Sequence, residues 1–305
     1  MKIFILLLSV IHSVKKKIYN LVHHKTDIPA FKELVLNCIE YTKKVSLRKF
    51  IIEGISTGFS RLDYIMSGLR PAQFIVVASR PSMGKTAFVL NIAEHVGIIN
   101  KIPVGIFNFD ITKQELACRL LCLHGKLSLF DVRMGRLNSN DFSSIIQSSI
   151  GIIDTPIYID DTVPLDIREL CTKIHRLKSE HQIRLVIIDY LQLLPLINKK
   201  DIFNVCYKLK RLAEELNITI IGVSQVDRTV EYRPDHRPGI CDLTDADAIK
   251  RYADIIATIL RNEYYDPEDN PGTASISICK NRNGSCGDFE LKFLSNCMRF
   301  EELTQ

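Results

Sequence analysis

The stretch Phe74-Ile-Val-Val-Ala-Ser-Arg-Pro-Ser-Met-Gly-Lys-Thr-Ala87 decides the fold of this chain. It begins with an apolar run that predicts a buried strand, and its last residues begin a helical pattern. In a loop of this kind between a strand and a helix, the backbone N–H groups point inward and hold phosphate oxygens together with the positive end of the helix dipole. The sequence therefore predicts a phosphate-binding loop formed by Ser82, Met83, Gly84, Lys85, Thr86 and Ala87.

A second motif supports this prediction. The loop matches the Walker A pattern except that Ser79 stands in place of the first glycine, so a chance Gly-Lys-Thr at a helix start is the alternative. The apolar run 184–189 ends in the carboxylate of Asp189, which is the Walker B arrangement, although a solvated Asp at a strand end would look the same. The two motifs in this order favour an ATP site, in which Lys85 reaches the β and γ phosphates and Thr86 and Asp189 hold Mg²⁺.

The composition is that of a globular protein. Of the 305 residues, 46% are hydrophobic and 25% are charged, which is enough apolar material for a full core. The net charge of +5 is compatible with binding nucleic acid but is too mild to argue for it. The cysteines, odd in number and without a Cys-x-x-Cys pair, favour free thiols in a reducing, cytoplasmic compartment of a bacterial or organellar type.

The chain predicts three segments in order. Residues 1–28 are an apolar and basic extension, too short in its apolar part for a membrane span and without a signal cleavage site, so no membrane partner is expected. Residues 29–52 contain an amphipathic helix over 29–46, with Phe31, Leu34, Val35, Cys38 and Ile39 on its apolar side. Residues 53–305 form the main domain.

The sequence pattern of the main domain predicts an α/β fold. Nearly continuous apolar runs, as expected of parallel strands covered on both faces, occur at 73–79, 103–109, 157–160, 185–189 and 218–224. Helical patterns between them begin near Lys85, Thr112, Ser139, Asp166 and Asp201. Strands joined by short turns follow at 255–260, 274–280, 289–294 and 298–300. We expect a mainly parallel sheet flanked by helices, with an antiparallel extension at the C-terminal end.

Several longer motifs resemble those of the DnaB-type replicative DNA helicases over residues 53–303. The matches include Ile55-Ser-Thr-Gly-Phe-Ser-Arg-Leu-Asp63, Ala78-Ser-Arg-Pro-Ser-Met-Gly-Lys-Thr86, Ile188-Asp-Tyr-Leu-Gln-Leu193, Met134-Gly-Arg-Leu137 and Lys280-Asn-Arg-Asn-Gly284. The resemblance implies a RecA-like P-loop NTPase domain that forms a ring, usually of six copies, with ATP at the subunit interfaces. The helix at 29–46 stands where the family has a linker helix that packs on a neighbouring subunit. The segment before residue 28 is too short for the family's separate N-terminal domain.

The resemblance also implies roles for individual residues. Gln225 would sense the γ phosphate, and Lys280 and Arg282 would reach into the ATP site of the next subunit. A solvated residue in the turn after Asn281 is the alternative for Arg282. The activity implied is an ATP-dependent helicase that translocates on single-stranded DNA in the 5′–3′ direction, and the implied partners include a primase and a helicase loader.

One departure from the family concerns the catalytic base. The family has a glutamate after its second strand that polarises the attacking water, and this chain has Asp110 there. Because misplacing a catalytic group by about 1 Å costs on the order of 10²-fold in rate, we expect slow hydrolysis. The alternative is that Asp110 only stabilises the turn before the next helix.

A second departure concerns DNA. The family has an Arg-Glu-Ser-Gly core in a loop that touches the DNA backbone, whereas this chain has Thr244-Asp-Ala-Asp247. Two acidic groups oppose binding to phosphates, and Lys250 and Arg251 partly offset them. The main alternative to a helicase is therefore an ATP-binding assembly protein with weak or lost unwinding. A recombinase or clock-type ATPase is less consistent with Tyr190-Leu-Gln-Leu193.

Overall fold

The computed structural model describes residues 31–46, 52–163, 166–194 and 202–303. The residues divide into two compact units, 1–51 and 52–305. In the first unit the structure describes helix α1 (Phe31–Ser46), and the predicted extension at 1–28 lies outside the described residues. Among the described residues, no helix combines the length and the apolar character needed to cross a membrane.

Helix α1 leaves its apolar side chains in solvent. Its exposed apolar residues are Phe31, Leu34, Val35, Leu36 and Ile39. Phe31 is 80% exposed, which is unfavourable for a large apolar side chain. A partner surface would therefore stabilise this helix.

The second unit is built on a single nine-stranded sheet with the order β3-β2-β4-β5-β1-β6-β7-β8-β9. The strands are β1 (Phe74–Ser79), β2 (Val104–Asn108), β3 (Ile157–Asp160), β4 (Leu185–Asp189), β5 (Thr219–Gln225), β6 (Ile255–Leu260), β7 (Thr273–Asn281), β8 (Gly287–Leu294) and β9 (Arg299–Glu302). The helices are α2 (Ser60–Met66), α3 (Lys85–Ala93), α4 (Lys113–Gly125), α5 (Leu129–Met134), α6 (Ser139–Ile152), α7 (Ile167–His181), α8 (Ile202–Leu216) and α9 (Ala246–Tyr252). A π-helical stretch, Glu94–Ile99, follows α3.

The sheet buries two cores, one on each face. Along β1, Phe74 and Val76 belong to one apolar cluster and Ile75 and Val77 to the other. Successive side chains of a strand point to opposite faces, so burial on both faces requires a continuous apolar run. This explains why the predicted strand boundaries agree with the structure to within about two residues.

One strand differs from the prediction in direction. Residues 255–260 were predicted with the antiparallel group, but β6 runs parallel to β1, with Ile255 beside Ile75. Parallel neighbours need a long crossover connection, and the segment between β5 and β6, which includes α9, provides it. The antiparallel extension therefore consists of β7, β8 and β9.

Candidate active site

The predicted phosphate-binding loop lies between β1 and α3. The backbone of Ser82 and of Gly84 has positive φ, at 65° and 96°. A Cβ atom on Gly84 would lie 3.2 Å from the ring of Phe300. The backbone conformation therefore favours glycine at residue 84, and a side chain there would also be tight against β9.

The turn between β8 and β9 forms a floor beneath this loop. Asn91 of α3 stabilises the turn through two hydrogen bonds. Its Nδ2 donates to the carbonyl oxygen of Met298 at 3.0 Å, and its Oδ1 accepts the N–H of Phe300 at 3.1 Å. The ring of Phe300 also packs edge-on against Phe88, with centroids 5.4 Å apart. The last strand thus supports the loop that the first strand introduces.

Lys85 points back along the loop. Its Nζ donates to the carbonyl oxygens of Ser79 at 3.1 Å and of Arg80 at 3.0 Å. Burial lowers the pKa of Lys85 to about 8, and the charge of Asp189 opposes this shift. A buried ammonium that is held by neutral oxygens would be stabilised by an anion such as a phosphate.

Thr86 and Asp189 are in direct contact. The hydroxyl of Thr86 donates to Oδ2 of Asp189 at 2.5 Å. Burial raises the pKa of Asp189, and the hydrogen bond from Thr86 opposes this shift. Hydroxyl and carboxylate oxygens suit Mg²⁺, which usually completes its coordination with water and substrate phosphates.

Asp110 lies next to this pair because β2 and β4 are neighbours, with Asn108 opposite Asp189. The turn around Asp110 is stabilised by other side chains. Oδ1 of Asn108 accepts the N–H of Asp110 at 3.0 Å and of Ile111 at 2.8 Å, and Thr112 caps α4. Asp110 itself is exposed and lines the cleft.

These groups converge on one cleft of about 350 Å³. Eight residues predicted for the site line it together: Ser82, Gly84, Lys85, Thr86, Ala87, Asp110, Asp189 and Gln225. Five further lining residues were not predicted: Pro81, Arg119, Tyr190, Phe293 and Met298. The cleft therefore combines cations and carboxylates at the loop with apolar surface from the β8–β9 turn.

Arg119 is the most informative of the residues that the sequence analysis missed. It lies on α4 and pairs with Glu115 at 2.7 Å, while its buried Nε has no hydrogen-bond partner. A polar ligand in the cleft could satisfy this group. The sequence offers little signal for it, because the same helix carries Lys113, which pairs with Asp161 outside the cleft.

Gln225 connects the cleft to the segment that follows. It is the last residue of β5, and its carbonyl oxygen accepts the N–H of Thr244 at 3.0 Å. Asp245 then adopts positive φ, at 65°, and α9 begins at the next residue. Asp245, Asp247 and Lys250 line a separate cavity of about 530 Å³, so the candidate DNA segment combines one cation with two carboxylates there.

Arg251 is not among the described residues that line that cavity, and its guanidinium lies over the ring of Tyr252. Nor do Lys280 and Arg282 line the nucleotide cleft of their own chain. They lie instead against the C-terminal end of α9.

Comparisons with known proteins agree with this geometry. The family model for the DnaB-like helicase C terminal domain matches residues 54–302. The replicative DNA helicase DnaB of Geobacillus stearothermophilus is 33% identical over 287 residues, which are 92% of this chain and 63% of that protein. DnaB of Buchnera aphidicola subsp. Baizongia pistaciae is 37% identical over 265 residues, covering 83% of this chain and 57% of that protein.

Two solved structures have the same fold. An ATPase domain that is 29% identical matches with a TM-score of 0.85, covering 91% of this chain and all of that domain. A DnaB-like replicative helicase, whose structure was described with its interactions with primase, is also 29% identical and matches with a TM-score of 0.83, covering 91% of this chain and 68% of that one. These matches confirm the predicted RecA-like α/β fold.

Proposed function

We propose that this chain, which belongs to the DnaB-like helicase family, is the ATP-hydrolysing motor of a replicative DNA helicase that translocates on single-stranded DNA. The observation that carries the proposal is the 2.5 Å contact between Thr86 and Asp189 in a cleft that also holds Lys85. A hydroxyl at a helix start, a buried carboxylate at a strand end and an ammonium are the groups that bind a nucleoside triphosphate with Mg²⁺.

Each group in the cleft has a distinct role in the proposed reaction. Lys85 binds the β and γ phosphates, and Thr86 and Asp189 hold the Mg²⁺ that neutralises charge on the phosphates when it is bound. Asp110 accepts a proton from the attacking water or orients it, since its exposed carboxylate is beside Asp189. Gln225 contacts the γ phosphate, and its link to Thr244 connects that contact with the candidate DNA segment.

Arg119 and the apolar part of the cleft complete the site. Arg119 provides a further cation for the phosphates, because its Nε is buried in the cleft wall without a partner. Phe293 and Met298 provide an apolar surface for the base. Apolar contact of this kind is not specific for one nucleobase, so we expect limited discrimination between purine nucleotides.

A ring of copies would supply what a single chain lacks. We assign Lys280 and Arg282 to the ATP site of a neighbouring subunit, since they do not line their own cleft.

A neighbour would also cover the apolar side of α1. On the ATPase unit, α6 exposes Phe142, Ile146 and Ile150 at helical spacing, and we propose this face as the surface that receives α1 of another copy. The expected assembly is a hexamer.

The proposed partners are single-stranded DNA, a primase and a helicase loader. Lys250 and Arg251 are the cations of the candidate DNA segment, and the expected direction of travel is 5′–3′. The primase is proposed because a matching helicase structure includes primase interactions.

ATP turnover with and without single-stranded DNA tests the proposed function. We expect Lys85→Ala to abolish turnover, because it removes the buried ammonium. Little loss of folding is expected, because Lys85 is part of neither apolar core. Thermal unfolding checks the fold, and Lys292→Ala, an exposed lysine on β8, is the matched control. Unchanged turnover in folded Lys85→Ala protein would contradict the ATP site. Turnover that ignores DNA, in a protein that does not bind DNA, would favour the assembly-protein alternative.

A further inference from the structure

Lys280 and Arg282 are held by the end of a helix in their own chain. Nζ of Lys280 donates to the carbonyl oxygens of Lys250 and Ala253, both at 2.6 Å. Nη2 of Arg282 donates to the carbonyl oxygen of Arg251 at 2.6 Å. These carbonyls belong to the C-terminal end of α9, where helix geometry leaves oxygens unpaired and the helix dipole favours cations.

A buried carboxylate strengthens this arrangement. Oδ1 of Asp254 lies 3.6 Å from Nη1 of Arg282, and the main-chain oxygen of Asp254 accepts the N–H of Arg282 at 2.9 Å. Oδ2 of Asp254 accepts the N–H of Phe74 at 2.8 Å and Nζ of Lys210 at 2.7 Å. Asp254 therefore joins β1, α8 and the end of β7 at one point.

These contacts occupy part of the hydrogen-bonding and ion-pairing capacity of the two cations. The ammonium of Lys280 has three donors, and two of them are engaged with carbonyl oxygens. Burial lowers the pKa of Lys280, and the neighbouring Arg282 lowers it further. Arg282 is 44% exposed but faces a carboxylate. Each cation must therefore break these contacts before it can bind a phosphate on a neighbouring subunit.

The other end of the same helix carries the candidate DNA segment. The N–H of Thr244 is bonded to Gln225, and α9 begins two residues later. The helix has only 7 residues, and Ala248 and Ile249 pack it against the core. Because the helix spans only about two turns, a displacement of residues 244–247 would also shift the carbonyls that hold Lys280 and Arg282.

We propose that Asp254 is a positioning residue that, together with the C-terminal end of α9, retains Lys280 and Arg282 in their own subunit. A single strand of DNA that binds at residues 244–251 displaces the helix. Both cations are then free to reach the neighbouring ATP site. The inference rests on the proposed function, because it takes these cations to act on a neighbour's nucleotide. It adds a physical reason why hydrolysis would depend on DNA.

The variant Asp254→Asn tests the retention directly in the 305-residue chain. The amide oxygen can still accept from Phe74 and Lys210, while the amide nitrogen then faces Arg282 and no longer attracts it. Lys210→Met is the matched control, since it removes another partner of the same carboxylate and leaves Asp254 paired with Arg282. Damage to the fold alone would affect both variants in the same direction.

We expect Asp254→Asn to raise ATP turnover in the absence of DNA by about threefold, because partly exposed ion pairs are weak. The factor by which single-stranded DNA stimulates turnover should fall accordingly. Lys210→Met should not raise DNA-free turnover. A fall in DNA-free turnover for Asp254→Asn, or an equal change in both variants, would overturn the proposal.

A second measurement separates this inference from the proposed function. Phenylglyoxal modifies accessible guanidinium groups, and mass spectrometry reports its rate at Arg282. We expect faster modification of Arg282 in Asp254→Asn than in the unmodified chain or in Lys210→Met. An unchanged rate would overturn the retention of Arg282. A faster rate in proteins that hydrolyse no ATP would support the retention and contradict the proposed function.

Discussion

At the scale of single residues, Lys85 is a group whose charge changes near neutral pH. Its pKa is lowered to about 8 by burial. A bound phosphate favours the charged form, so nucleotide binding should raise this pKa again. Binding at pH 8 should then take up about half a proton, and affinity should fall as the pH rises from 7.5 to 9.5, because the free protein progressively loses the ammonium.

Isothermal titration in buffers of different ionisation enthalpy measures this proton uptake. The same titration on Lys85→Ala is the control, and its residual binding should show no uptake from this group. A binding reaction that takes up no proton at pH 8 in the unmodified protein would contradict the lowered pKa of Lys85.

Asp110 keeps the charge of the family's glutamate on a side chain that is one carbon shorter. Since Asn108 and Thr112 hold the turn, a longer side chain at residue 110 should not disturb the backbone. We expect Asp110→Glu to raise ATP turnover about threefold and Asp110→Asn to lower it on the order of 10²-fold, the usual scale for a lost general base. Turnover at saturating ATP is the measurement. Equal turnover in all three proteins would show that Asp110 does not act on the water.

The sequence was sufficient for some residues of the site and not for others. Lys85 and Thr86 begin the helix that follows β1, and Asp189 ends β4. Parallel strands bring their carboxyl ends together, so order along the chain predicts that these residues meet. Arg119 and Met298 reach the cleft through the packing of α4 and the β8–β9 turn, which no local pattern encodes. The contacts of Lys280 and Arg282 with α9 likewise depend on the register in which β6 pairs with β7.

At the scale of elements, the start of α9 determines how the chain meets DNA. Asp245 has positive φ, which asparagine tolerates better than most residues, and Asp247 is in the first turn of the helix. We expect weak, strongly salt-sensitive binding of single-stranded DNA, which Asp245→Asn combined with Asp247→Asn improves by removing two negative charges.

Fluorescence anisotropy of a labelled oligonucleotide at several salt concentrations measures this binding. Asp269→Asn, at an exposed aspartate outside the segment, is the control. Tight binding by the unmodified chain would show that the acidic segment does not oppose DNA. Equal affinity of the unmodified and doubly substituted chains would place the DNA path elsewhere.

Long elements were predictable and short ones were not. The buried strands and the helices α3, α4, α6, α7 and α8 have patterns that extend over several turns or a full strand. The short helices α2, α5 and α9 were missed, since helices of 6 or 7 residues depend on capping and tertiary contacts more than on periodicity. Ser128 caps α5, for example, by accepting the N–H of Asp131.

At the scale of the whole molecule, the proposed ATP site is shared between copies. Arg282→Ala and Lys85→Ala should each be inactive for different reasons, since one lacks the cation given to a neighbour and the other lacks its own phosphate-binding ammonium. We expect a mixture of the two to recover part of the ATP turnover at interfaces that combine the intact halves. Native mass spectrometry would verify that the rings are mixed, and no recovery in mixed rings would contradict the role of Arg282.

The position of Phe300 next to Gly84 makes the proposed nucleotide site depend on strand β9, which lies far from the phosphate-binding loop along the chain. A polypeptide released before residue 300 would carry every motif named above, from the phosphate-binding loop to Arg282. It would lack the ring beneath Gly84 and the N–H that Asn91 holds. A chain that lacks β9 should therefore bind ATP poorly even though it keeps the phosphate-binding loop.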